Sequence, residues 1–328
     1  MGLLRGLIFA GRGFYRVARA TLDPSLLPRP ASEVGIARIV PGDDGMMEDR
    51  LVRSKNSYRL VSALLSAGLL MAGHALAEEE GGDLRAAVQN PVGAMYSVPI
   101  KQTVDFGAPD GAAYFLNLQP VIPITVGDWN LINRVIAPVV VHVPGLIGGV
   151  PSLPLGQEGG AVTGMGDWNY SMFVSPAKPG SVIWGIGPSI TFPTATDGQL
   201  GSRKWSAGPT AVALAQPKPW TIGVLARQLW SFAGDSDRKE VSQFLLEPFV
   251  NYNLDKGWYL ITDMVVTANW HAPSSERWTV PLGGGVGKLF TIGGQAINTR
   301  LEAYYNVERP ESAPDWSMSL TIQFLFPR

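Results

Sequence analysis

The sequence predicts an all-β chain closed into a transmembrane antiparallel up-and-down β-barrel of about 12 strands. From about Gly93 to the C-terminus, apolar and polar residues alternate in stretches of ~10–14 residues. The gaps between them alternate between very short and long, as tight periplasmic turns and larger outer loops require. Each stretch can cross a bilayer when tilted, for which ~9–11 residues suffice. A soluble sandwich or lipocalin-like barrel also alternates, but its strands are usually ~5–6 residues and its apolar face is hidden inside.

The stretches lie near 93–106, 113–126, 131–143, 163–175, 181–193, 204–215, 220–232, 241–253, 258–270, 277–289, 296–307 and 316–326. In the second, Tyr114, Leu116, Leu118, Ile122, Ile124 and Val126 oppose Asn117, Gln119 and Thr125. In the ninth, Trp258, Leu260, Met264, Val266, Ala268 and Trp270 oppose Asp263, Thr267 and Asn269. The last two alternate likewise, with Ile297, Leu301 and Tyr305 against Asn298, Arg300 and Glu302, and with Met318, Leu320 and Ile322 against Ser317, Ser319 and Thr321. Period two puts the two sets on opposite faces, one suited to lipid and one to water. Trp258 and Trp270 are spaced like two interfacial girdles, because a tilted strand of that length spans roughly 30 Å.

The joints 127–130, 176–180, 216–219, 254–257 and 290–295 are short and turn-rich, whereas 144–162 and 194–203 are long and rich in glycine. An even strand count leaves both termini on the periplasmic side. The pattern is blurred in the first stretch by Lys101, Gln102 and Asp105, and in 204–215 by alanine and glycine. Prolines inside strands, among them Pro120, Pro138, Pro248 and Pro281, predict local bulges, since proline cannot donate to the ladder. At Pro138 and Pro248 such breaks are candidate lateral routes through the wall for an apolar solute.

Upstream, Arg50, Arg53, Lys55 and Arg59 precede an apolar core over 60–73 and the small-x-small site Ala75-Leu76-Ala77, followed by Glu78. That order is a signal peptide, assigned to 46–77 with Met46 or Met47 as the start, and it leaves 1–45 as an unstructured upstream extension. Residues 78–92 read as a short periplasmic lead, too small for a plug domain, and 93–328 as the barrel. The chain has no cysteine, which excludes disulfides and thiolate metal sites, and no cofactor is expected. Its net charge of −1 argues against nucleic acid as a partner. After Ala77 no apolar run is long enough for a spanning helix, so the membrane is crossed by strands.

The segments QNPVGAMYSVPIKQ (89–102), LNLQPVIPITVGDWNLINRVIAPVV (116–140), GMGDWNYSMFVSP (164–176), WGIGPSITFPTATDGQLGSRKWSAGPTAV (184–212), WTVPLGGGVGK (278–288) and the closing LFPR (325–328) resemble the outer-membrane family labelled "meta-pathway of phenol degradation". The resemblance covers nearly the whole chain from Gln89. It implies an outer-membrane β-barrel of a Gram-negative bacterium with a transport role, linked to uptake of aromatic or other poorly soluble compounds. It supplies no catalytic or binding residues. The C-terminal strand, with Phe326 near the end, looks like a signal read by the barrel-assembly machinery, although it closes on Pro327-Arg328 rather than on the aromatic.

Charges on the water-facing set are few: Arg134, Asp167, Arg227, Glu247, Asp263, Arg300 and Glu302, with His142 near the outer end. In a narrow lumen such groups must pair, because isolated desolvated charges are costly. They form either a network bracing the wall or a polar constriction that selects a solute. The expected function is passive passage or binding of a small hydrophobic or aromatic solute, with outer-membrane lipid as the surrounding partner. A structural or adhesion barrel with a filled lumen is the rival reading. An outer-membrane lipid hydrolase is a third, but no phospholipase-like motif surrounds His142 or His271, and the chain reads as a non-enzyme. Gly283, Gly284, Gly285 and Gly287 lack Walker spacing and read as sites of tight curvature or close side-chain approach.

Overall fold

A computed structural model describes residues 81–326 apart from 154, 157 and 158; the expected signal peptide over 46–77 and the expected extension over 1–45 lie outside the described residues. A helix, α1 (Gly81–Val88), precedes fifteen strands: β1 (Tyr96–Ala108), β2 (Gly111–Leu118), β3 (Val121–Val126), β4 (Trp129–Val143), β5 (Val162–Gly164), β6 (Trp168–Pro176), β7 (Val182–Phe192), β8 (Lys204–Ala215), β9 (Trp220–Gly234), β10 (Ser242–Asn253), β11 (Trp258–Asp263), β12 (Val266–Asn269), β13 (Trp278–Ile292), β14 (Gln295–Glu308) and β15 (Trp316–Phe326). Pairs β2/β3, β5/β6 and β11/β12 are each one interrupted stave, so the strands make a closed antiparallel barrel of 12 staves. Closure is made by β1 on β15, in register from Tyr96 opposite Phe326 to Phe106 opposite Trp316.

The interruptions have local causes. Met264 and Val265, between β11 and β12, lie opposite Pro248 on one side and Pro281 on the other, and neither proline has an N–H to give. Gln119 and Pro120 divide β2 from β3. In β4 a bulge leaves Val139 unpaired between Pro138 and Val140, and Gly166, in the gap before β6, donates to the Pro138 carbonyl at 2.9 Å.

Several joints differ from the sequence reading, among them that over 127–130, which shrinks to Gly127-Asp128. The first outer connection is a two-residue turn at Pro109-Asp110, flanked by Gly107 and Gly111 with positive φ, rather than a longer loop. The joint expected over 290–295 shrinks to Gly293-Gly294, with φ 57° and 84°. Both turn residues have φ > 0, which suits a two-residue hairpin whose twist matches the strands, and glycine adopts it without steric cost.

The faces are inverted relative to a soluble protein. Ile124 (49 %), Leu260 (51 %), Leu282 (52 %) and Ile186 (54 %) are uncovered on the outside, while Thr221, Ser189 and Thr321 are 1 % exposed inside. Two aromatic belts bound this apolar band. The lower pairs Trp129 with Trp184 (6.1 Å) and Trp220 with Tyr252 (4.6 Å); the upper pairs Phe106 with Trp316 (4.2 Å), Phe192 with Trp205 (5.4 Å) and Trp270 with Trp278 (5.6 Å). A band of this kind between aromatic girdles belongs in a bilayer, with lipid as the outer solvent.

Candidate functional site

The lumen is stopped at both ends. At the periplasmic mouth, α1 lies across the opening: Arg85 Nη1 donates to the Leu254 carbonyl at 2.6 Å, and Gln216 Nε2 donates to the Ala86 carbonyl at 2.7 Å. Gln89 is gripped from two sides, by Asn253 at 2.9 Å and by the Thr221 hydroxyl at 2.8 Å. Val92 is 2 % exposed and packs with Ile132, Phe173 and Leu214, in space left by the missing side chain of Gly185. The described part of the lead closes the mouth. Because 90–93 form the turn that seats Val92, the first strand begins at Tyr96 and not at Gly93.

At the outer end, the loop after β4 folds inward. Gly148 N donates to the Ser312 carbonyl at 3.1 Å, the Thr267 hydroxyl reaches the Gly149 carbonyl at 3.4 Å, and Asp110 accepts from Leu146 N at 2.8 Å. Ile147, Val150 and Leu153 are buried against Ala113, Phe115 and Val141. Each end is thus held by apolar burial together with side chain to backbone hydrogen bonds.

Between these stoppers lie two cavities, an upper one of about 220 Å³ and a lower one of about 130 Å³. Arg134, Glu247, Asp263 and Arg300 line both, so these four form a charged layer where the cavities meet. Arg300 Nη1 lies 3.3 Å from Asp263 Oδ2, and Arg300 Nε lies 3.6 Å from Glu302 Oε2. The Tyr304 hydroxyl donates to Glu302 at 3.0 Å and accepts from Asp263 N at 2.7 Å. On the opposite wall Arg227 Nη1 donates to Asn169 Oδ1 at 2.9 Å, and Asn169 in turn donates to Ser189 and Thr191. Phe115, Ile136, Phe173, Leu225, Leu245 and Val265 supply an apolar part of the upper wall.

Of the residues singled out from sequence, Arg134, Arg227, Glu247, Asp263 and Arg300 line the upper chamber, and Glu302 stands behind Arg300 with its side chain fully buried. Two stand elsewhere, which corrects their assignment to the lumen. The bulge at Val139 reverses the alternation of β4, so Val141 turns inward toward Phe115 and His142 stacks on Tyr114 (5.9 Å) and meets the Thr163 hydroxyl at 2.7 Å. Asp167 falls in the gap between β5 and β6, where it accepts from Ala195 N (3.1 Å) and Ser202 N (2.7 Å) and ties down the loop 193–203. Sequence reasoning missed Lys101 and Asp105 of the chamber wall, although both occupy the odd, inward positions of β1 with Ser97 and Thr103. It also missed the Tyr304 clamp.

The fold and the lumen define a closed transmembrane β-barrel, stopped at both ends around a charged chamber. No family model matches the chain, and no curated protein matches it. Among solved structures it is similar to an outer membrane channel from Pseudomonas putida F1, at 14 % identity over 72 % of this chain and 97 % of that chain, with a TM-score of 0.52. At that identity the likeness is one of fold. The NanC porin (10 % identity, 70 % of this chain and 100 % of that chain, TM-score 0.45) and the toluene transporter TodX of Pseudomonas putida (8 %, 73 % and 91 %, 0.34) overlay too loosely to carry an argument.

Proposed function

We propose that the barrel passes a small solute across the outer membrane through the two cavities in series, with the layer of Arg134, Glu247, Asp263 and Arg300 as its selective constriction. The carrying observation is that these four residues line both cavities, so a solute moving along the lumen must pass them. The apolar wall of Phe115, Phe173 and Leu225 supports a hydrophobic or aromatic body, and the charged layer supports a polar group on it. Passage is passive, and the C-terminal strand Trp316–Phe326 serves as the signal for the barrel-assembly machinery. The solute-selecting reading of the charges is favoured over a purely bracing one because, among the described residues, Arg300 and Asp263 of the layer pair with each other while Arg134 and Glu247 enter no ion pair. Purified protein in planar bilayers tests this: discrete conductance steps, interrupted by added aromatic solute, are expected. A silent barrel that stays silent after residues 81–92 are removed would favour the structural or adhesion reading.

A further inference from the structure

We propose that the solute carries an anionic group and that Arg134, with Lys101 and Arg227, receives it. This rests on the passage reading above and adds the charge class. The upper chamber is lined by four cations, Lys101, Arg134, Arg227 and Arg300, against three carboxylates, Asp105, Glu247 and Asp263. Glu302 does not redress the balance at the lining, since its side chain is fully buried behind Arg300 and held by Tyr304. The wall facing the solute therefore has one positive charge in excess.

How the cations are used matters as much as their number. Arg300 is committed to Asp263 and Glu302. Arg227 makes one hydrogen bond, to Asn169, and keeps the rest of its fork. Among the described residues the side chains of Lys101 and Arg134 make no hydrogen bond and no ion pair, although both lie within electrostatic range of Glu247 and Asp263. A guanidinium grips a carboxylate through two parallel N–H···O bonds, and in a lumen shielded from bulk water that attraction is stronger than at a surface. Arg134 borders both cavities, so it can hold the anion in the upper one and release it to the lower. Phe115 and Phe173 are placed in the same chamber for the apolar remainder.

Benzoate, benzamide and benzamidine have nearly the same shape and carry negative, zero and positive charge, which isolates the charge class. Uptake of each into proteoliposomes holding the full chain is measured against protein-free vesicles, together with the reversal potential in a potassium chloride gradient. The proposal expects benzoate to enter about tenfold faster than benzamidine, as a charge-assisted hydrogen bond implies, and a reversal potential on the chloride side. Arg134→Gln and Lys101→Met should each reduce the benzoate preference while benzamide still enters, and Glu247→Gln should increase it. Heat-modifiable migration in detergent identifies any variant that has failed to fold. Equal entry of the three probes, or faster benzamidine, overturns the anion assignment and leaves passage standing. Entry of none of them, with no conductance even after residues 81–92 are removed, overturns the passage reading itself.

Discussion

Asp263 of β11 and Arg300 of β14 meet at 3.3 Å although β13 runs between their strands. They reach each other because the inward positions of β13 at this level are Gly283, Gly285 and Gly287, which put no side chain in the way. A Cβ on Gly285 would lie 2.0 Å from the Leu301 carbonyl oxygen, and one on Gly287 would lie 2.1 Å from the Tyr259 ring. Gly287→Ala must displace a ring that is 1 % exposed and hydrogen-bonded to Asn298. It should cost about 1–3 kcal/mol of stability through overpacking, measured by reversible unfolding in lipid.

Arg300 is the sole ion-pair partner of Asp263 and Glu302 among the described residues. Arg300→Met leaves two largely buried carboxylates without their ion-pair partner, and breaking a buried network in this way costs about 3–5 kcal/mol. The double change Arg300→Met with Glu302→Gln should recover part of the loss, because it removes one of the stranded charges. A double-mutant cycle reads the coupling directly, and strict additivity would count against the network.

The helix α1 should act as a stopper. Deleting residues 81–92 removes the Arg85, Gln89 and Val92 contacts without touching a stave, so unitary conductance should rise several-fold while heat-modifiable migration stays normal. Val92→Asp should have a smaller effect in the same direction, since a charge in the cluster of Ile132, Phe173 and Leu214 disfavours the plugged position.

On the outer face Lys204 Nζ lies 2.8 Å from Glu240 Oε1, and the Ser231 hydroxyl donates to the same carboxylate. The hydrogen bonds from Lys204 and Ser231 lower the Glu240 pKa below its ordinary 4.5. A depressed carboxylate contributes stability that is present above the unfolded value and is lost as pH falls through the folded one. The clasp should therefore hold at neutral pH and release only below about 4.5, a small effect because the Glu240 side chain is largely exposed to solvent. Hydrogen exchange of Val241, whose N–H donates to Ser231, should quicken in that range, and Glu240→Gln should abolish the dependence.

The barrel was legible in the sequence because period-two alternation is a property of the strand itself and survives without tertiary information. Trp258 to Trp270 shows this: its faces are as read even though two prolines on neighbouring staves break its ladder. What stayed hidden depended on contacts between distant segments. His142 was assigned inward because nothing local announces that Val139 is an extra residue, and Asp167 because the gap before β6 is set by the bulge opposite. Lys101 and Asp105 looked like noise while the first strand was taken to begin at Gly93. The stopper was unreadable because an eight-residue helix carries no sign of the mouth it covers.

Position-specific labelling of single cysteines tests the inverted barrel most directly, and the cysteine-free chain makes it clean. Fluorescent probes at Ile124→Cys and Leu260→Cys should be quenched by a lipid-borne quencher and shielded from a water-soluble one, while a probe at Ser319→Cys should resist the lipid-borne quencher. If the two outer positions were shielded from lipid and Ser319 were reached by it, the assignment of lumen and membrane faces would be wrong.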